Sequence, residues 1–239
     1  MWSSDRRRAA RAACLSLALC VASSVAPHVA HAQHAASVRG QVTLLERAGA
    51  SAGDLRGAVV WLEERGRASS PRAPRDGRIA MRGREFLPHV LTVPVGSAVG
   101  FPNQDPFSHN VFSNVDHGPF DLGLYRRGAT RSATFGRAGV YPIYCNIHSK
   151  MVSFVVAVPS AWVVQPGADG AFAIDDVPRG VYALHAWHER SATELVQELT
   201  VPAGGLSGVR VVLDARAWVA APHLNKFGRP YAVTRADRY

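Results

Sequence analysis

The stretch Tyr144-Cys145-Asn146-Ile147-His148-Ser149-Lys150-Met151 sets a thiol, an imidazole and a thioether at Cys-x2-His-x2-Met spacing on one short segment. It follows Val140-Tyr141-Pro142-Ile143, an apolar run with strand character. A fourth candidate, His109, stands 36 residues upstream of Cys145 in Phe107-Ser108-His109-Asn110-Val111. The set offers two imidazoles, one thiolate and one thioether. The two sulfur donors are soft and imidazole suits copper. Zinc fits less well, because Met is not among its usual ligands. The plain alternative is a buried thiol with Met151 as a core filler. Two sulfur residues bracketing a His on one short loop point away from it.

Two His and one Cys in a near-trigonal plane, with a weak axial Met, are the ligands of a blue-copper electron-transfer site. Further stretches point the same way. They are Phe86-Leu87-Pro88-His89-Val90-Leu91-Thr92-Val93-Pro94-Val95-Gly96, Val99-Gly100-Phe101-Pro102-Asn103, Phe120-Asp121-Leu122-Gly123 and Gly139-Val140-Tyr141-Pro142-Ile143-Tyr144-Cys145. Over residues 76–158 the chain resembles the bacterial cupredoxins. Its short ligand loop is similar to that of amicyanin. The nearer resemblance is to periplasmic cupredoxins described as methylamine utilization or plastocyanin-like proteins. Small cupredoxins usually carry Pro just before the loop His, where this chain has Ile147.

The resemblance implies a Greek-key β-sandwich holding one copper through His109, Cys145, His148 and Met151. It also implies that Asn110, after the first His, ties the two ligand strands together. The implied partner is a redox protein such as a c-type cytochrome or a periplasmic dehydrogenase.

Arg6, Arg7, Arg8 and Arg11 precede an apolar run from Ala12 to Ala26 that is short for a bilayer span. Ala30-His31-Ala32 is a small-residue cleavage site. Residues 1–32 therefore read as a signal peptide for export to the periplasm, with no integral membrane span left after cleavage. Cys14 and Cys20 leave with it and Cys145 stays alone, so no internal disulfide is expected. Metal ligation would protect such a lone thiol in an oxidising compartment. The whole chain carries +9; cleavage leaves 23 basic and 17 acidic residues, a net +6. The basic residues are scattered, with no aromatic-interleaved stripe, so no nucleic-acid partner is expected.

The remaining chain reads as all-β. Val90–Val95, Val140–Tyr144, Val152–Val158 and Val209–Leu213 are short runs rich in β-branched or aromatic residues, separated by Gly and Pro. Val38–Val42 and Leu55–Leu62 read as strands before the copper segment. Ala168–Ile174, with its Asp169-Gly170 turn, and Val177–Leu184, with Pro178-Arg179-Gly180, follow it. These flanks resemble the carboxypeptidase regulatory-like, transthyretin-like β-sandwich, with two of its motifs on each side of the cupredoxin stretch. We expect a cupredoxin domain at 69–158 inserted into a sandwich made of 36–68 plus 159–215, with a tail at 216–239. The alternative is a cupredoxin with an N-terminal extension, followed by a separate small sandwich.

His185 and His188 would point to opposite faces of a strand and so cannot share a metal through that spacing. Of the other histidines, His117 is closest in sequence to a ligand and is the expected site neighbour, whereas His89 and His223 have no partner at ligand spacing. No Gly-x-Ser-x-Gly, phosphate-binding loop, His-Glu-x-x-His or Gly-x-Gly-x-x-Gly occurs. The expected function is electron carriage rather than catalysis. A copper-delivery protein and an envelope-associated binding module are the alternatives. Only Met81 and Met151 follow the signal, which is sparse for an open delivery site.

Overall fold

The computed structural model describes residues 36–48, 54–67 and 72–231. The export segment 1–32 and tail residues 232–239 lie outside the described residues. The structure is all-β. Among the described residues the only helix is one 3-10 turn, Leu55–Gly57. The strands begin with β1 (Ala36–Leu45) and β2 (Val59–Glu64). Next come β3 (Gly77–Arg78), β4 (Ala80–Arg82), β5 (Glu85–Leu87), β6 (Val90–Pro94) and β7 (Ser97–Pro102). They are followed by β8 (His109–Ser113), β9 (Phe120–Tyr125), β10 (Thr130–Phe135), β11 (Gly139–Tyr144) and β12 (Val152–Val158). The last are β13 (Val163–Val164), β14 (Ala171–Val177), β15 (Gly180–Trp187), β16 (Leu195–Val201) and β17 (Leu206–Asp214).

Strands from both ends of the chain build one sandwich, which we call the flanking sandwich. Its sheets run β14-β1-β17 and β13-β2-β15-β16. Val59 pairs with Trp187, and Leu62 with Leu184. Val38, Val60, Leu62, Phe172, Tyr182, Leu184, Val211 and Leu213 meet in its core. Gly40 is needed where β1 crosses this core, because a Cβ there would lie 2.3 Å from the Val209 carbonyl oxygen. Strands β3 to β12 build the second sandwich. Its sheets run β6-β12-β11-β8-β9 and β10-β7-β3, with the hairpin β4-β5 beside them. Val99, Phe101, Val111, Phe135, Tyr141, Ile143 and Val155 fill its core, and Cys145 and Met151 belong to the same cluster.

The two sandwiches pack face to face. Val59, Trp61 and Trp187 of the flanking sandwich meet Val90, Val156 and Val158 of the other. Strands β2 and β12 are therefore buried on both faces. Val60 and Leu62 point one way and Val59 and Trp61 the other. Val155 and Ala157 likewise oppose Val156 and Val158. Two-sided burial is why residues 59–62 and 154–158 read as continuous apolar runs without alternation.

One expected strand starts later than its sequence implies. Leu55–Gly57 coils into the 3-10 turn because Asp54 caps it, accepting from Arg56 N–H at 3.0 Å, and β2 begins only at Val59.

Candidate metal centre

The segment Cys145–Met151 is the connection of the β11–β12 hairpin. Pairing of Tyr144 with Val152 closes it at the base. Inside the loop, Met151 N–H donates to the His148 carbonyl at 3.0 Å, and Cys145 N–H to the Met151 carbonyl at 3.3 Å. His109 opens β8, which reaches β11 through the pairing of Phe112 with Tyr144. One sheet thus carries an imidazole on one strand to the thiol at the end of its neighbour.

His109 Nδ1 and His148 Nδ1 each lie 3.6 Å from Cys145 Sγ. The three donor atoms all lie within 4.8 Å of one another. His109, Cys145 and Met151 are buried, while His148 is half-buried beside exposed Ile147. The Phe107 ring lies 5.2 Å from the His109 ring and 5.6 Å from the His148 ring, centroid to centroid. Burial pushes the Cys145 thiol up, while the N–H groups of Asn110, Ile147 and His148 favour the thiolate. Cys145 is free of any disulfide. A buried thiol supplied with three N–H donors and two imidazole nitrogens is a donor set prepared for a soft cation.

His109 is fixed from behind. Its Nε2 lies 2.8 Å from Asp105 Oδ2, with both side chains almost fully buried. Burial disfavours the charged Asp105 carboxylate, but N–H donation from Arg84, the His109 ring and Gly83 N–H outweighs it and holds the carboxyl below its usual range. With Nε2 donating to Asp105, the Nδ1 lone pair faces Cys145.

The chain is 31% identical over 84 residues to the plastocyanin of Sambucus nigra, covering 30% of this chain and 80% of that protein. The chain belongs to the plastocyanin family. No family model matches it. Among solved structures it is similar to a purple cupredoxin from Nitrosopumilus maritimus, at 26% identity and TM-score 0.32, covering 35% of this chain and 100% of that one. It is also similar to the reduced Cu(I) form of an amicyanin variant, at 22% identity and TM-score 0.33, covering 41% and 98%.

Several residues of this plastocyanin-family site differ in role from their sequence reading. The Asn110 side chain donates to Asp121 Oδ1 at 2.6 Å, and its backbone N–H serves Cys145. His117 packs on Tyr141, ring centroids 4.4 Å apart, rather than on a ligand. The histidine beside the loop is His223, stacked on Tyr144 with centroids 4.4 Å apart and planes 23° apart. Asp105 is the second omission. It stands four residues before His109, a spacing that places a carboxylate behind a ligand only if the intervening loop folds back. The buried Asn103 makes it do so, accepting from Asp105 N–H and donating to the Phe107 carbonyl.

Proposed function

We propose that this chain is a type 1 copper protein carrying single electrons between partners in the periplasm. The convergence of His109 Nδ1, Cys145 Sγ and His148 Nδ1 within 4.8 Å, at the end of a sandwich core, carries the reading. A bound copper supplies a one-electron Cu(I)/Cu(II) couple. Cys145 as thiolate, His109 and His148 through their Nδ1 atoms, and Met151 through its thioether would hold it. The chain's own part is to keep these donors still. Three N–H groups fix the sulfur, Asp105 fixes the His109 ring, and the β11–β12 pairing fixes the loop ends. Donors that do not move when charge changes make electron exchange fast.

His148, half-buried on the loop, is the port through which electrons leave, and exposed Lys150 beside it favours an acidic partner such as a c-type cytochrome or a periplasmic dehydrogenase. The signal-like residues 1–32 support export. Among the described residues no helix is long and apolar enough to cross a membrane. We read the two sandwiches as a cupredoxin domain at 69–158 inserted into a regulatory-like domain at 36–68 plus 159–215. We read the chain as a carrier rather than an enzyme.

Stopped-flow exchange with a small redox reagent, run beside copper transfer to a chelator, tests the function. Fast reversible exchange with copper retained is the expected result. Copper lost as fast as electrons move would make this a delivery protein.

A further inference from the structure

After β17, residues 215–231 form no strand, yet their contacts are specific at both ends. They start on the flanking sandwich. Ala215 N–H donates to the Leu45 carbonyl at 2.8 Å, and the Arg190 guanidinium sits 4.5 Å from the Trp218 ring centroid. They finish on the ligand loop. Lys226 N–H donates to Asn146 Oδ1 at 2.9 Å, and its ammonium to Asp121 Oδ2 at 2.6 Å. The Tyr231 hydroxyl donates to the Cys145 carbonyl at 2.6 Å and lies 3.3 Å from His223 Nδ1. The His223 ring stacks on Tyr144, the residue just before the loop, with centroids 4.4 Å apart. The loop is thus touched by tail groups at the Cys145 carbonyl, at the Asn146 side chain and, just before it, at the Tyr144 ring.

The loop needs such help. No residue from Cys145 to Met151 is Pro, so the loop's own sequence fixes no φ. A loop ordered only on metal binding would lose conformational entropy at that moment and hold the metal less tightly. We propose that residues 223–231 are a clamp in which His223 and Tyr231 act as positioning residues. Through the Cys145 carbonyl and the Tyr144 ring they hold the ligand loop in its ligating arrangement before metal arrives, with the flanking sandwich as the clamp's anchor. A sandwich that contributes no ligand thereby takes part in the metal site.

The consequence for copper rests on the function proposed above, whereas the clamp itself is a property of the metal-free chain. The test compares wild type, Tyr231→Phe and the double variant His223→Leu/Tyr231→Phe. In metal-free protein, amide hydrogen exchange at Asn146–Lys150 is expected to rise about fivefold or more for the single variant, the scale of one lost hydrogen bond, and further for the double. Amides of Ile143 and Val155, in the sandwich core, should not change. In copper-loaded protein, loss to a chelator should quicken roughly tenfold. Loop exchange at the wild-type rate in Tyr231→Phe overturns the clamp, even if the double variant fails to fold. Faster exchange with unchanged copper loss overturns its role in metal retention. A wild type that takes up no copper defeats the function proposed above, while the exchange data still decide the clamp.

Discussion

Cys145 concentrates the chemistry, because its sulfur is the one donor that both burial and three N–H groups act upon. Cys145→Ser should abolish any visible charge-transfer band on Cu(II) addition, since a hydroxyl is a hard and poor donor. Met151→Leu should keep the band and shift the reduction potential, because an axial thioether tunes more than it binds; potentiometry on the two proteins checks this. Asp105→Asn leaves a hydrogen-bond acceptor but removes the charge behind His109. Copper affinity, read by chelator competition, should fall about tenfold to a hundredfold, the range for partners that orient metal-bound histidines. The three donors that the structure brings together, His109, Cys145 and His148, were legible in the sequence because soft donors are few and Cys145 and Met151 bracket a His on one loop. Asp105, His223 and Tyr231 were not. Their roles arise from a loop that folds back and from a tail without periodicity, and neither leaves a local pattern.

Strands β2 and β12 carry the architecture, each serving two cores at once. Val155→Ala and Val156→Ala point to opposite faces, yet each should cost about 2 kcal/mol, the scale for removing buried methyl groups. Equilibrium denaturation would show equal losses. A negligible loss at Val156 would mean that the sandwiches are not firmly packed. Gly40→Ala should cost about 1–3 kcal/mol, since the new methyl meets the Val209 carbonyl and the Phe172 ring. The existence of both strands could be read from their β-branched runs. Which faces they cover could not, because a run with no alternation carries no facing signal. Leu55–Gly57 misled for a similar reason. Leu55 leads without a break into the apolar run 58–62, and only the Asp54 cap marks residues 55–57 as a turn.

Across the whole molecule, one ion pair joins residues at the junction of the sandwiches. His89, just before β6, lies 2.9 Å from the Glu189 carboxylate, just after β15. The Glu189 hydrogen bond raises the His89 pKa above its usual 6.5, against the opposing effect of burial. Burial disfavours the charged Glu189, but His89 overcomes it and lowers the carboxyl below 4.5. The raised group stabilises the fold fully below pH 6.5, and that stability is lost as pH rises through the raised value. The lowered group's contribution is present above pH 4.5 and is lost as pH falls through the depressed value. Unfolding free energy from denaturant titration should therefore decline on the alkaline side in wild type and less so in His89→Gln, the difference being about 0.5 kcal/mol for so exposed a pair. Whether the site binds copper as a blue centre is decided by the visible absorption spectrum of purified protein titrated with Cu(II). The expected result is an intense blue band that saturates at one copper per chain and is absent in Cys145→Ser. A colourless wild-type protein, or a band that survives Cys145→Ser, would contradict it.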